Sequence, residues 1–305
     1  MEVPVVVQLG NRHCLCGRAG DVDAIDVRQM EPNWMDDDNA VFTLMRSWVH
    51  DTIMCAPQRL KIVVLENILL DIPRKKRLCQ VLLNRLRVNS VVFLPDVLMA
   101  CVSAGVSNAL VVDVGWEQTA VVPVVDMRIL DRDVGVSKLG ARWFAAELEQ
   151  HFAGCGEAVM RSLKVGQGGR YEGNSIPWGD VSAVFERFLG TAGLSVEYDA
   201  DEYALVPLVL RAVRNLSADV KRNVLPNIVI IGSMARMPGL RQRLIVEIQT
   251  EFVCARGIEA LSVWQGGSIY TFHSLMHNEL DLMEVNRERF KNNGVVPDWQ
   301  LQRFM

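Results

Sequence analysis

The 305-residue chain is long enough for two domains or one bilobed unit with a sizeable core. Half of it is hydrophobic and 22% is charged, which excludes a disordered chain. The net charge of −4 excludes a general basic field for nucleic acid or anionic lipid, so no nucleic-acid partner is expected.

The longest apolar runs, Val91–Leu94 and Leu110–Val112 with their flanks, have strand length and predict no membrane span. Residues 1–9 carry Glu2 and no basic region, so no secretory signal is expected and the reading is a soluble, cytoplasmic protein. The seven cysteines are scattered and odd in number, which fits reduced core residues. Cys14-x-Cys16 and His151-x-x-x-Cys155 each lack the second ligand pair that zinc needs, so no metal site is expected.

In chain order, a strand over Val3–Leu9 turns at Gly10-Asn11-Arg12 into a return strand over His13–Arg18. An acidic, poorly periodic stretch follows, and Asp36-Asp37-Asp38-Asn39 predicts the cap of a helix from about Ala40 to Thr52. Leu60–Leu65 predicts a buried strand. Ile72–Leu86 predicts a helix, whose Arg74-Lys75-Lys76-Arg77 quartet reads as a solvated face because one turn spreads it around the axis. Val88–Leu94 is a further buried strand, and Pro95–Ala104 a short helix ending at Gly105.

A second hairpin follows, with strands at Ala109–Val114 and Gln118–Val125, a turn at Gly115-Trp116-Glu117 and a further strand near Met127–Val134. A helix runs from Gly140 to about Phe152, residues 153–180 read as glycine-rich loop, and Val181–Leu189 as helix. Helices are predicted at Tyr203–Asn215 and Asp219–Asn223, and a buried strand at Asn227–Ile231. Gly232-Ser233 and Met237-Pro238-Gly239-Leu240 then open a helix to Phe252. The chain closes with a strand near Ala260–Val263, a helix over Ser268–Asn278 and a charged helix over Leu280–Arg289.

One phrase is written twice. Val-Val-Val-Gln-Leu-Gly at 5–10 and Leu-Val-Val-Asp-Val-Gly at 110–115 each run an apolar strand into a glycine turn. Two such hairpins facing each other hold a nucleotide phosphate tail between two lobes, and alternating sheets and helices duplicated about a hairpin give a bilobed α/β chain. The metal-side carboxylate stands only in the second copy, as Asp113, with Gln8 in the first. Gly10, Gly115 and Gly232 are equally explained by tight turns, and Asp113 by a capped turn.

Three anchors together resemble the actin family of the actin–hexokinase–Hsp70 fold. They are the hairpin ending in Ala19-Gly20-Asp21, the strand Ile228–Ile231 with Gly232 and Met237-Pro238-Gly239, and Val263-Trp264-Gln265-Gly266-Gly267-Ser268-Ile269. Within the family, Phe93-Leu94-Pro95, Leu98-Met99-Ala100, Gly105–Asp113 and Gly294-Val295-Val296-Pro297-Asp298-Trp299 are similar to the actin-related protein at the pointed end of the dynactin complex. The resemblance implies an actin-like ATPase fold, a duplicated ribonuclease H-like α/β architecture. Its first lobe would be 1–105 plus 264–305, with 22–56 a stub. Its second would be 106–140 plus 200–263, with 141–199 a shortened small subdomain.

The resemblance also implies a nucleotide site at Gly10, Asn11, Asp113, Gly115, Glu186, Gly232 and Ser233. The family's first hairpin supplies an aspartate, a small turn and a lysine, where this chain has Gln8, Asn11-Arg12 and Leu15. A neutral amide is a poorer magnesium-side partner than a carboxylate, although the Arg12 charge can itself meet a phosphate. Trp116-Glu117 stands in the second turn and would crowd and repel phosphates. Phe185 replaces a lysine, and the water-orienting glutamine falls near Pro95-Asp96. Hydrolysis needs water, metal and phosphate clamps together. No catalytic residue and no cofactor are therefore expected, with bound ATP or ADP as the alternative.

Only 38 residues separate Asp21 from Leu60, so the pointed-end insertion of the family reads as a stub. The barbed-end groove is better kept, at Val102, Ser103, Gly105, Ile269, Tyr270 and His273, although the helical spacing of Ile269 and Tyr270 is more often a core pattern. The resemblance implies a cap on the actin-like filament of dynactin, with other pointed-end subunits as partners, serving dynein-based transport in the cytoplasm and cytoskeleton. The alternative is an actin-fold ATP-binding protein, either a slow ATPase or a chromatin-associated actin relative.

Overall fold

The computed structural model describes residues 2–152, 155–164, 170–171, 174–191, 201–277, 279–280, 284–294 and 296–297. The chain divides into two compact units, Met1–Gly105 with Ala260–Met305, and Val106–Glu259.

The first stretch of unit one runs β1 (Val3–Leu9), β2 (His13–Arg18), β3 (Asp26–Gln29), α1 (Asp38–Ser47), β4 (Leu60–Glu66), α2 (Ile72–Cys79), β5 (Ser90–Pro95) and α3 (Asp96–Ala104). Unit two runs β6 (Ala109–Val114), β7 (Thr119–Val125), β8 (Arg128–Ile129), β9 (Gly135–Ser137), α4 (Ala141–His151), α5 (Gly156–Lys164), β10 (Arg170–Tyr171), β11 (Asn174–Ser175), α6 (Trp178–Leu189), α7 (Leu205–Asn215), α8 (Ala218–Val224), β12 (Ile228–Ile231) and α9 (Leu240–Gln249). The chain returns to unit one with α10 (Val263–Met276), β13 (Val285–Asn286) and α11 (Arg287–Asn293).

The sheet of unit one has the order β13-β5-β4-β1-β2-β3, and that of unit two β12-β6-β7-β8 with β9 also on β7. The twice-written phrase occupies the same place in both. β1 pairs antiparallel with β2 and parallel with β4; β6 pairs antiparallel with β7 and parallel with β12. β4, β5 and β6 are buried along their whole length, as strands covered on both faces must be, and this is why they read as unbroken apolar runs. The core of unit one gathers Val5, Val7, Trp34, Trp48 and Leu82; that of unit two gathers Val112, Trp116, Phe144 and Phe188.

Several expectations are corrected. Within the poorly periodic stretch, residues 26–29 form β3, because Cys14, Leu15 and Cys16 of β2 offer Arg28, Val27 and Asp26 a ladder that local sequence does not announce. The helix expected over 40–52 is α1 continued by a π-helical turn at Trp48–Thr52. That expected over 72–86 is α2 continued by a similar turn at Gln80–Arg85. The 153–180 segment holds α5, β10 and β11, and α6 begins inside it, so loop is the wrong reading there. Burial of Val159, Met160 and Leu163 against unit two favours a helix despite the glycines.

The strand expected near 260–263 is absent, because Ser262 caps α10. Its hydroxyl accepts from the Gln265 N–H while the Gln265 side chain accepts from the Ser262 N–H. The helix expected at 280–289 is instead β13 followed by α11, which Asn286 caps through Arg289 N–H at 2.9 Å. The basic quartet is not a solvated face either. Arg74 grips Asp36 with two bonds of 2.9 and 2.8 Å, Arg77 binds Asp38 at 2.6 Å, and Lys75 is buried.

Candidate functional site

In unit one the hairpin tip is built into the scaffold. Gly10 N–H donates to the His13 carbonyl at 3.1 Å and closes the turn. The Gly10 carbonyl accepts from the Trp34 indole at 3.1 Å, and a Cβ on Gly10 would stand 2.6 Å from the His13 oxygen. Asn11 is exposed at the tip. Arg12 does not project from it. Its guanidinium donates to the Met30 carbonyl at 2.7 Å and lies 3.7 Å from Glu31, leaving the side chain 11% exposed. The reading of Arg12 as a phosphate contact is therefore corrected: its charge is directed at the end of β3. Gln8 and Leu15 face each other across the hairpin.

The tip in unit two is equally committed. Gly115 N–H donates to the Gln118 carbonyl at 3.0 Å, while the Gly115 and Trp116 carbonyls accept from Ala141 and Arg142 at 2.9 and 2.8 Å. These amides begin α4, so the turn takes up donors that an α-helix leaves open. The Trp116 indole packs into the core, which corrects the expectation that it would crowd a phosphate, and Glu117 is held by Arg142 at 3.0 Å. A Cβ on Gly140 would meet the Trp116 oxygen at 2.6 Å, so that contact requires glycine.

Beside this hairpin the structure brings Asp113 and Gly232 together. Asp113 is 7% exposed and pairs in register with Ile231. Gly232 has φ 91°, and a Cβ there would stand 2.3 Å from the Asp113 carboxylate. Ser233 is half-buried in the same turn, which Met234 closes with a bond of 3.1 Å to the Val114 carbonyl. Glu186, on α6, accepts from the Thr191 hydroxyl and from Arg243 at 3.1 Å, and Arg243 also pairs with Glu247 at 3.0 Å. Phe185 packs edge-on against Phe144 at 6.3 Å. Asp96, at the position nearest the expected water-orienting glutamine, is buried in unit one, where Asn67 donates to it at 3.2 Å.

The partner-groove residues lie on α3 and α10, which pack against each other. Gly266 permits the approach, since a Cβ there would stand 2.0 Å from the Met99 carbonyl oxygen; at Gly267 it would stand 2.5 Å from Leu65. Ser103 donates to Ala100 and Leu261 at 2.8 and 3.3 Å, Val102 is half-buried, and Gly105 ends α3 with φ 69°. Ile269 is 51% exposed, His273 is exposed and Tyr270 is half-buried, so the core reading is corrected for Ile269. Phe272 and Met276 are exposed on the same helix and were not singled out from the sequence. The spacing 269, 272, 276 carried that signal.

Hairpin strands set between an antiparallel and a parallel neighbour, repeated in two sheets, define an α/β protein of the actin fold. The family model described as Actin matches residues 15–167 and 191–300, and the chain belongs to the actin family. The first strand and its turn precede the matched residues. Actin-like protein ARP10 of Saccharomyces cerevisiae is 23% identical over 300 residues, covering 97% of this chain and 94% of that protein. Actin-like protein arp10 of Schizosaccharomyces pombe is 26% identical over 137 residues, 44% of this chain and 36% of that protein. Among the described residues no helix is long and apolar enough to cross a membrane.

Proposed function

We propose that the chain is a non-catalytic structural subunit that caps the pointed end of the actin-like filament of dynactin, in the cytoplasm and on the cytoskeleton. There it contacts other pointed-end subunits and serves dynein-based transport. The observation that carries this reading is the charge at the two hairpin tips: the Arg12 cation is turned to Met30 and Glu31, and the second tip carries the Glu117 carboxylate, held by Arg142. A metal–phosphate clamp needs carboxylate, open amides and cation at those tips. Gln8, the inward Arg12 and Glu117 do not fit that group, so no hydrolytic step is derived through it.

Partner binding then becomes the role left to the scaffold. In this reading Val102, Ser103, Gly105, Ile269, Tyr270 and His273 meet the neighbouring filament subunit. Segments 22–56 and 141–199 are the reduced small subdomains that leave the other end unable to accept one. The likeness to Actin-like protein ARP10 along almost the whole chain supports an actin-related protein of this kind. A pull-down on purified actin-like filaments tests it, with end-specific binding expected. Self-polymerisation, or no affinity for the filament, would overturn it.

A second reading, an actin-fold ATP-binding protein, is favoured by the close approach of Gly232 to Asp113. In it Gly10, Asn11, Asp113, Gly115, Glu186, Gly232 and Ser233 are the remaining nucleotide contacts.

A further inference from the structure

The five histidines of the chain are at 13, 50, 151, 273 and 277, and two of them meet at the exposed end of α10, His273 in its last turn and His277 as its C-cap. His273 and His277 stand four residues apart across the C-terminal end of the helix, and their ring centroids are 4.6 Å apart with planes tilted by 43°. Both residues are exposed. Imidazoles bound through nitrogen at about 2.0–2.1 Å to one ion bring their ring centroids to about 4.5–5 Å from each other. The observed separation is already in that range.

We propose that His273 and His277 form a bidentate site for a divalent transition ion of the class that prefers imidazole and completes its shell with water, such as nickel or copper. Two histidines four residues apart are a recurring pair of ligands for such an ion, and here they are the last-turn and C-cap residues of α10. Among the described residues no group of three or more His, Cys, Asp or Glu side chains converges, so these residues supply two donors and water completes the coordination. The helix offers a firm base. The capping box at Ser262 and Gln265 fixes its start, and Gly266 and Gly267 seat it against α3 and β4. The site does not depend on the function proposed above. It does use His273, so a bound ion would place open coordination positions on that same face.

Nickel(II) is the probe, because it favours imidazole over the exposed thiol of Cys254. Calorimetric titration of the full chain is expected to show one site. His273→Gln and His277→Gln should each weaken binding about tenfold or more, and His50→Gln should leave it unchanged. Saturating nickel is also expected to raise the thermal midpoint of the native chain and not that of the double variant, because an ion that binds only the folded state stabilises it. Circular dichroism confirms that each variant is folded. The proposal is overturned if the native chain binds no nickel at about a hundred times the micromolar range, or if the double variant binds it equally well.

Discussion

The Lys75 ammonium lies 2.5 Å from the Glu66 carboxylate, and each side chain is only 1% exposed. Lys75 joins α2 to the end of β4, donates to the Pro297 carbonyl at 3.3 Å and lies 5.7 Å over the Phe93 ring. Removing one charge of a buried pair leaves the other uncompensated, which destabilises by about 3–5 kcal/mol. Lys75→Met is therefore expected to lower the urea midpoint strongly. The double variant Lys75→Met, Glu66→Leu should recover much of the loss, as the buried positions are then both apolar.

Two glycines predict opposite signs. Gly266→Ala forces a methyl group against the Met99 carbonyl and should destabilise by about 1–3 kcal/mol or more. Gly179 lies in α6, and a Cβ there would meet nothing within 4 Å, so Gly179→Ala should stabilise by about 0.5–1 kcal/mol. Thermal melts of the two variants beside the native chain check both.

Asp36 links acid stability to the α2 arginines. The hydrogen bond from Arg74 holds its carboxyl below the ordinary aspartate value of 3.8, opposed by desolvation and aided by the charges of Arg74 and Arg77. A depressed folded value means that the contribution is fully present above the unfolded value and is lost as pH falls through the folded one. Asp36→Asn should flatten the fall in the urea midpoint as pH drops below the ordinary aspartate range, and the half-exposed setting of Asp36 keeps that difference small.

The sheets were legible because β4, β5 and β6 are continuous apolar runs, and because the phrase at 5–10 recurs at 110–115. β3 was not, since its strand character comes from its pairing with β2. The start of α10 was hidden for a different reason: Ser262 and Gln265 form a capping box in a stretch whose β-branched and apolar residues favour strand locally. At the candidate site the sequence located the turns and the odd residues in them. It could not say where Arg12 and Trp116 point, because a side chain's direction is set by partners such as Met30 and the core around Phe144, distant in the chain. Lys75 was misread for the same reason, as Glu66 lies on another element.

The central claim is that the duplicated hairpins serve the scaffold and not a nucleotide clamp. Denaturing the purified full chain and chromatographing the supernatant for adenine nucleotide tests it most directly. We expect far less than one equivalent of ATP or ADP per chain, unchanged in Asp113→Asn. Near-equimolar nucleotide from the native chain, lost in that variant, would contradict the claim.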